Sequence, residues 1–279
     1  MTKARTSLGL ALAGMACALA GPAFAAEAPA RRTLLAVFAH PDDEGVVGPL
    51  LARYARQGVR VHLAIATDGR HGVRDFAQVP AGEELARTRA AEARCAAEKL
   101  GVEVPSMLSL IGLPDGIARV EGSPADAMVR LQRLVEEVRG LFEALRPEVV
   151  VTWGPDGMSG HPDHRLVSAA VTQVFQEGQP GWPRNLYYPG FPHDRLASAP
   201  AAPGMPPLPV THARYLTMRV PYQPPDMERA RASFACHRTQ FTPEEQQALF
   251  GLIRHFHPGA IALRPWHPEA AADDLFPPR

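Results

Sequence analysis

Residues 33–39 form an unbroken apolar run that stops at His40-Pro41-Asp42-Asp43-Glu44. So short and uniform a run predicts a strand buried on both faces, as in a parallel sheet. A helix is predicted over 46–57 with Gly58 as its stop, then a second strand over 59–67 closing on Asp68-Gly69. An Ala-rich helix over 83–100 ends at Gly101, and a third strand over 107–111 precedes the turn Leu113-Pro114-Asp115-Gly116. Ser123-Pro124 opens a long amphipathic helix. Its Met128, Leu131, Leu134, Val135, Val138, Leu141, Phe142 and Leu145 recur at helical spacing and are read as core; 148–153 is a fourth strand. Strands alternating with helices imply an α/β fold, a Rossmann-like, doubly wound parallel-sheet sandwich with helices on both faces. Ligands bind such sheets beyond the carboxyl ends of the strands.

The stretch 180–225 breaks the alternation. It holds twelve of the 29 prolines, which are excluded from helix interiors, so it is read as an irregular covering segment with one strand near 214–220, or as a flexible lid. Helices over about 226–236 and 243–255 follow, and the last ten residues are expected to be weakly ordered. No repeat or second core emerges, so 26–279 is taken as one domain.

Residues 1–25 stand apart. Lys3 and Arg5 precede an apolar stretch over 8–20 and the small-residue sequence Ala23-Phe24-Ala25, the three parts of a secretory signal with cleavage after Ala25. A membrane span needs about 20 apolar residues, so the mature chain is expected to have none and to be periplasmic or secreted.

Charge narrows the partners. Lys plus Arg and Asp plus Glu each total 29, and no basic run is long enough for a nucleic-acid footprint or a polybasic membrane patch. Nucleic acid is therefore not expected as a partner. At 46% apolar and 21% charged, the chain is a globular enzyme or small-molecule binder. An exported protein could pair Cys95 with Cys236, but two cysteines fall far short of a disulfide framework, and the preferred reading is buried small apolar side chains.

Chemistry-bearing residues collect at two strand ends. His40, Asp42, Asp43 and Glu44 follow the first strand; His161-Pro162-Asp163-His164 follows the fourth across the Gly-rich loop 154–160. A catalytic divalent metal takes about three His and carboxylate ligands and keeps one position open for water, and these loops supply them at one sheet edge. Zinc fits that set best, with iron(II) as the other candidate. Either cluster alone also fits a helix N-cap. The loop Gly154-Pro155-Asp156-Gly157 lacks the Lys-Ser/Thr ending of a phosphate loop, and no nucleophile elbow is present.

Ala39-His40-Pro41-Asp42-Asp43-Glu44 together with Gly160-His161-Pro162-Asp163-His164 resembles the LmbE/PIG-L family of zinc-dependent de-N-acetylases, which act on N-acetylglucosamine-containing compounds. Further matches, in order, are Thr67-Asp68-Gly69, Arg89-Ala90-Ala91-Glu92, Leu100-Gly101, Leu113-Pro114-Asp115-Gly116 and His237-Arg238-Thr239-Gln240. The resemblance implies that His40, Asp43 and His164 hold the zinc and that Asp42 serves as base for water and then acid for the leaving amine. It implies that His161 stabilises the tetrahedral oxyanion and that Arg89 and Asp115 contact sugar hydroxyls. Spacing alone also allows Arg89 and Glu92 to be a surface ion pair. His237 matches a family His near the site; otherwise it is a surface residue. Many family members carry a Tyr where this chain has Ser159, and Tyr187 or Tyr188 is the candidate to fold over the site instead.

These readings converge on an exported zinc hydrolase whose partner is a small-molecule or glycan substrate carrying N-acetylglucosamine. The alternatives are an amidase acting on another acyl-amide conjugate and an exported, non-catalytic sugar-binding protein. The carboxylate beside the ligand set speaks against the latter.

Overall fold

The computed structural model describes Met1 and residues 31–104, 106–117, 124–199, 208–268 and 270–276. The leader expected over 1–25 and its cleavage site lie, Met1 apart, outside the described residues. The strands are β1 (Thr33–Phe38), β2 (Arg60–Thr67), β3 (Leu108–Leu113), β4 (Val149–Thr152), β5 (Asn185–Pro189), β6 (Met218–Pro221) and β7 (Ala260–Pro265). The helices are α1 (Gly48–Arg56), α2 (Glu83–Leu100), α3 (Pro124–Leu145), α4 (Pro162–Gln176), α5 (Pro224–Phe234) and α6 (Pro243–Phe256).

The strands form one sheet in the order β3-β2-β1-β4-β5-β7-β6. The first five run parallel, as the apolar runs predict, while β7 is antiparallel to both β5 and β6. The α/β architecture is thus a mixed sheet with a parallel heart. Because side chains alternate along a strand, β1 sends Leu34, Ala36 and Phe38 to one face and Leu35, Val37 and Ala39 to the other. The first face packs with Leu50, Leu51 and Tyr54 of α1, the second with Val138 and Phe142 of α3 and Val167 and Val171 of α4. Each fully buried Leu, Val or Phe contributes roughly 1.5–3 kcal/mol.

α2 closes on Gly101, whose φ of 88° satisfies the left-handed end of the helix. α5 lies against α1 and α2. The fit is close: a Cβ placed on Gly48 would stand 2.9 Å from that of Ala230, and one on Gly45 2.5 Å from the Phe234 ring.

Several expectations are corrected. Cys95 of α2 and Cys236, just beyond α5, form a disulfide across 141 residues, with Cα atoms 5.9 Å apart; the packing of α5 on α2 brings two distant thiols into range. The stretch 180–225 contains β5 besides β6, the strand expected near 214–220, because prolines at strand ends leave the ladder intact. Tyr187 is buried in the core, and the Tyr188 hydroxyl bonds Thr172 at 2.7 Å, so neither folds over the site. Met128 is 55% exposed, since the apolar stripe of α3 meets the core only further along the helix. Leu275 and Phe276, expected to be weakly ordered, are buried, and Tyr54 accepts from the Leu275 N–H at 2.8 Å.

Candidate active site

The chain leaves β1 through a tight turn. Asp42 takes φ 116°, a left-handed conformation that costs a non-glycine residue of order 1–3 kcal/mol. The turn is held by Asp43, whose Oδ2 accepts from the N–H groups of Ala39 (3.0 Å) and His40 (2.8 Å) and from Trp153 Nε1 (3.2 Å). A second clamp is Glu44, whose Oε2 accepts from the Asp42 N–H at 3.0 Å. Its Oε1 bonds His237 Nε2 at 2.6 Å, and both side chains are buried.

The loop after β4 delivers the second cluster. His161 caps α4, its Nδ1 accepting from the Asp163 N–H at 3.2 Å, and Pro162 occupies the first turn. That places His164 on the inner face of the first turn, stacked on the Trp153 ring at 4.5 Å and 7°. Gly157 is required: its φ is 67°, and a Cβ there would stand 3.0 Å from that of His164.

His40 Nδ1 lies 3.2 Å from His164 Nε2, which lies 3.2 Å from Asp43 Oδ1, and His40 Nδ1 is 3.6 Å from Asp43 Oδ2. Donor atoms on a tetrahedral zinc stand about 3.3 Å apart, given bonds of about 2.0–2.1 Å. The outer partners fit the same purpose. The Gly157 carbonyl accepts a hydrogen bond from His164 Nδ1 at 2.9 Å, and His40 Nε2 faces Asp115 (3.1 Å) and Asp163 (3.3 Å). Each bond puts a ring proton on the far nitrogen and leaves the inner one a lone pair for a cation. His161 also comes into a possible metal group with His40 and His164, and Asp115 and Asp163 form another with His40 Nε2.

Charge is concentrated here. Burial pulls the His40 imidazole down, yet its hydrogen bonds to the carboxylates of Asp115, Asp163 and Asp43 hold it well above its ordinary range. Burial pushes Asp43 up, and the facing His164 and His40 hold it well below the usual carboxylate range. Asp42 is pushed up to about 6 by burial, against the pull of Arg89. His161 is lowered by burial and by the facing imidazoles of His40 and His164.

Seven of the eight residues singled out from the sequence line one cavity of about 310 Å³: His40, Asp42, Asp43, Arg89, Asp115, His161 and His164. His237 lies behind it against Glu44, neither in the cavity nor on the surface. Arg89 forms no surface pair with Glu92: it is buried, donating to Asp42 Oδ2 (3.0 Å), the Pro41 carbonyl (2.6 Å) and the Gly69 carbonyl (3.0 Å). Glu92 instead accepts from the N–H and hydroxyl of Thr239 at 2.8 and 2.7 Å. Ser159 turns its hydroxyl to His164 Nδ1, 3.2 Å away. The sequence reading missed His71, Gly72 and Gln240 in the lining, and Trp153 and Asp163 as supports. Of these only Asp163 and Gln240, each within a recognised motif, carried a signal.

A mixed α/β sheet bearing an imidazole–carboxylate cluster at the carboxyl ends of its parallel strands is a fold with a candidate metal centre. The chain belongs to the PIG-L family, described as GlcNAc-PI de-N-acetylase, which matches residues 35–175. It is 33% identical over 239 residues to the 1D-myo-inositol 2-acetamido-2-deoxy-alpha-D-glucopyranoside deacetylase of Saccharomonospora viridis, covering 75% of this chain and 85% of that one. It is 36% identical over 174 residues to the corresponding deacetylase 2 of Catenulispora acidiphila. That match spans 57% of each chain, so little more than half of this relative is covered. Among solved structures, a deacetylase of teicoplanin biosynthesis aligns with a TM-score of 0.61 at 17% identity, over 84% of this chain and 97% of that one, and shares the fold.

Proposed function

We propose that this chain is a zinc-dependent hydrolase that removes the N-acetyl group from an N-acetylglucosamine-containing substrate. The observation that carries the proposal is the triangle of His40 Nδ1, His164 Nε2 and Asp43 Oδ1 in one cavity with the Asp42 carboxylate. Family membership and the deacetylase relatives support the amide-hydrolysing class. His40, Asp43 and His164 would hold the ion, which when bound supplies Lewis acidity to the amide oxygen and to water.

The protein's own side chains do the rest. Asp42 accepts a proton from the attacking water as the new C–O bond forms at the acetyl carbon. It then returns that proton to the amine nitrogen as the C–N bond breaks, releasing acetate and the free amine. Its position near pH 6 lets one carboxylate act both ways in neutral solution. Arg89 aims it, and His161, at the mouth, donates to the oxyanion. Asp115 and Arg89 offer acceptors and donors to sugar hydroxyls.

We further propose export. The Cys95–Cys236 disulfide supports maturation in an oxidising compartment, in keeping with the basic and apolar start of the sequence.

The test is metal content and acetate release from an N-acetylglucosaminide. One zinc per chain and turnover are expected, and Asp42→Asn should lose at least about 10²-fold in kcat with its metal retained. A metal-loaded chain that releases no acetate from any such substrate refutes the proposal.

A further inference from the structure

Away from His40, two hollows share one wall. One, of about 310 Å³, runs along α4 from Pro155 and Arg165 to Gln176; the other, of about 300 Å³, reaches Arg214, Tyr215 and Thr217. Tyr188, Arg264 and Trp266 line both, so the two are parts of one groove. At its upper end Arg165 follows His164 in the chain and borders Gly157 and Gly160 of the loop that carries His161. The helical stretch from Arg165 to Gln176 is about 16 Å long, room for more than one sugar ring.

The lining is chemically one-sided. Three guanidinium groups face it, and among the described residues no carboxylate does, in a chain whose charges balance. Elsewhere Arg56, Arg70 and Arg139 take the acidic partners Asp226, Asp68 and Glu177. In the groove, Arg264 lies over the Tyr188 ring at 4.9 Å, and Arg214 over Tyr215 at 4.6 Å. Thr217 Oγ1 is buried in the wall without a partner. Trp266 and Tyr215 are 37% and 48% exposed.

We propose that this groove binds a carboxylate-bearing saccharide chain, continuing from the ring whose acetyl group sits at His40. The continuation rests on the deacetylase reading; the groove itself does not. Arginine forks match carboxylates bidentately, and exposed aromatic faces stack on pyranose rings.

Titration calorimetry on the full chain tests this with two probes of equal length. Hyaluronan hexasaccharide alternates glucuronate with N-acetylglucosamine; chitohexaose is neutral. At low salt hyaluronan should bind at least about tenfold more tightly, an advantage that shrinks as salt is added. Arg264→Gln should remove most of it and Arg264→Lys restore part, while chitohexaose affinity and turnover of diacetylchitobiose stay as they were. Trp266→Ala, which keeps every charge, should weaken both chains. Equal affinity for the two probes, or an advantage that survives Arg264→Gln combined with Arg165→Gln, overturns the proposal. Binding is read without turnover: arginine-dependent affinity without acetate release would sink only the deacetylase reading, and turnover without anion preference only the groove.

Discussion

Asp42 joins a left-handed backbone, a buried carboxyl and a guanidinium 3.0 Å away. Burial pushes it up to about 6 and Arg89 pulls it down, so its ionised form is lost as pH falls through that value. A pH–rate profile should therefore lose about tenfold per unit below pH 6, and Arg89→Gln should move that limb to higher pH. A limb that stays put would separate Arg89 from the carboxylate's ionisation. Glu44 acts one bond further out, holding the Asp42 N–H and tied to His237. Glu44→Ala should lower kcat by about 10–100-fold with KM little changed, and Glu44→Gln should recover part of the loss. A matching rise in KM would instead assign Glu44 to substrate binding. The legible residues here were those whose meaning is local: a His/Asp run where an apolar strand stops needs no partner to be noticed. Glu44 and His237 acquire their meaning only from each other, across 193 residues, and the Trp153 ring reads as core until His164 is laid on it.

At the scale of elements, the segment 236–240 is stitched to α2 three ways: by the Cys95–Cys236 disulfide, by Thr239 on Glu92, and by Gln240 reaching Gly72 in the loop that Arg89 supports. Cys95→Ser should cost about 2–5 kcal/mol, the range for cross-links that close long loops, measured by urea unfolding. An unchanged midpoint would show that packing alone holds the segment. The parallel strands β1 to β4 were readable because each is an apolar run bounded by a helix pattern. β5 and β7 were not, because both are short, both are bracketed by prolines, and their pairing is a contact between distant stretches. The same distance hid the disulfide, which composition argued against.

At the scale of the whole molecule, two imidazoles among the described residues are buried away from the site. Burial, with Arg60 nearby, lowers His62 to about 4, and burial, with Arg219 and Arg195, lowers His257 to about 3. Unfolded, both bind a proton near pH 6.5. Their stabilisation is therefore complete above that pH and declines as acidity increases toward their folded values, where the unfolded chain holds more protons. His257→Gln, which keeps an acceptor for the Ala262 N–H, should flatten the fall in Tm between pH 6.5 and 4, and an identical slope would assign the acid sensitivity to other groups. The close of the described chain also fixes an orientation. Phe276 lies under Arg32 at the start of β1, and Arg184, just before β5, donates to the Leu275 carbonyl. These contacts belong to the amino ends of the parallel strands, whereas the imidazoles stand at their carboxyl ends. A bead or affinity handle joined after Phe276 would thus hold the molecule by its back, with the catalytic mouth turned toward the bulk solution.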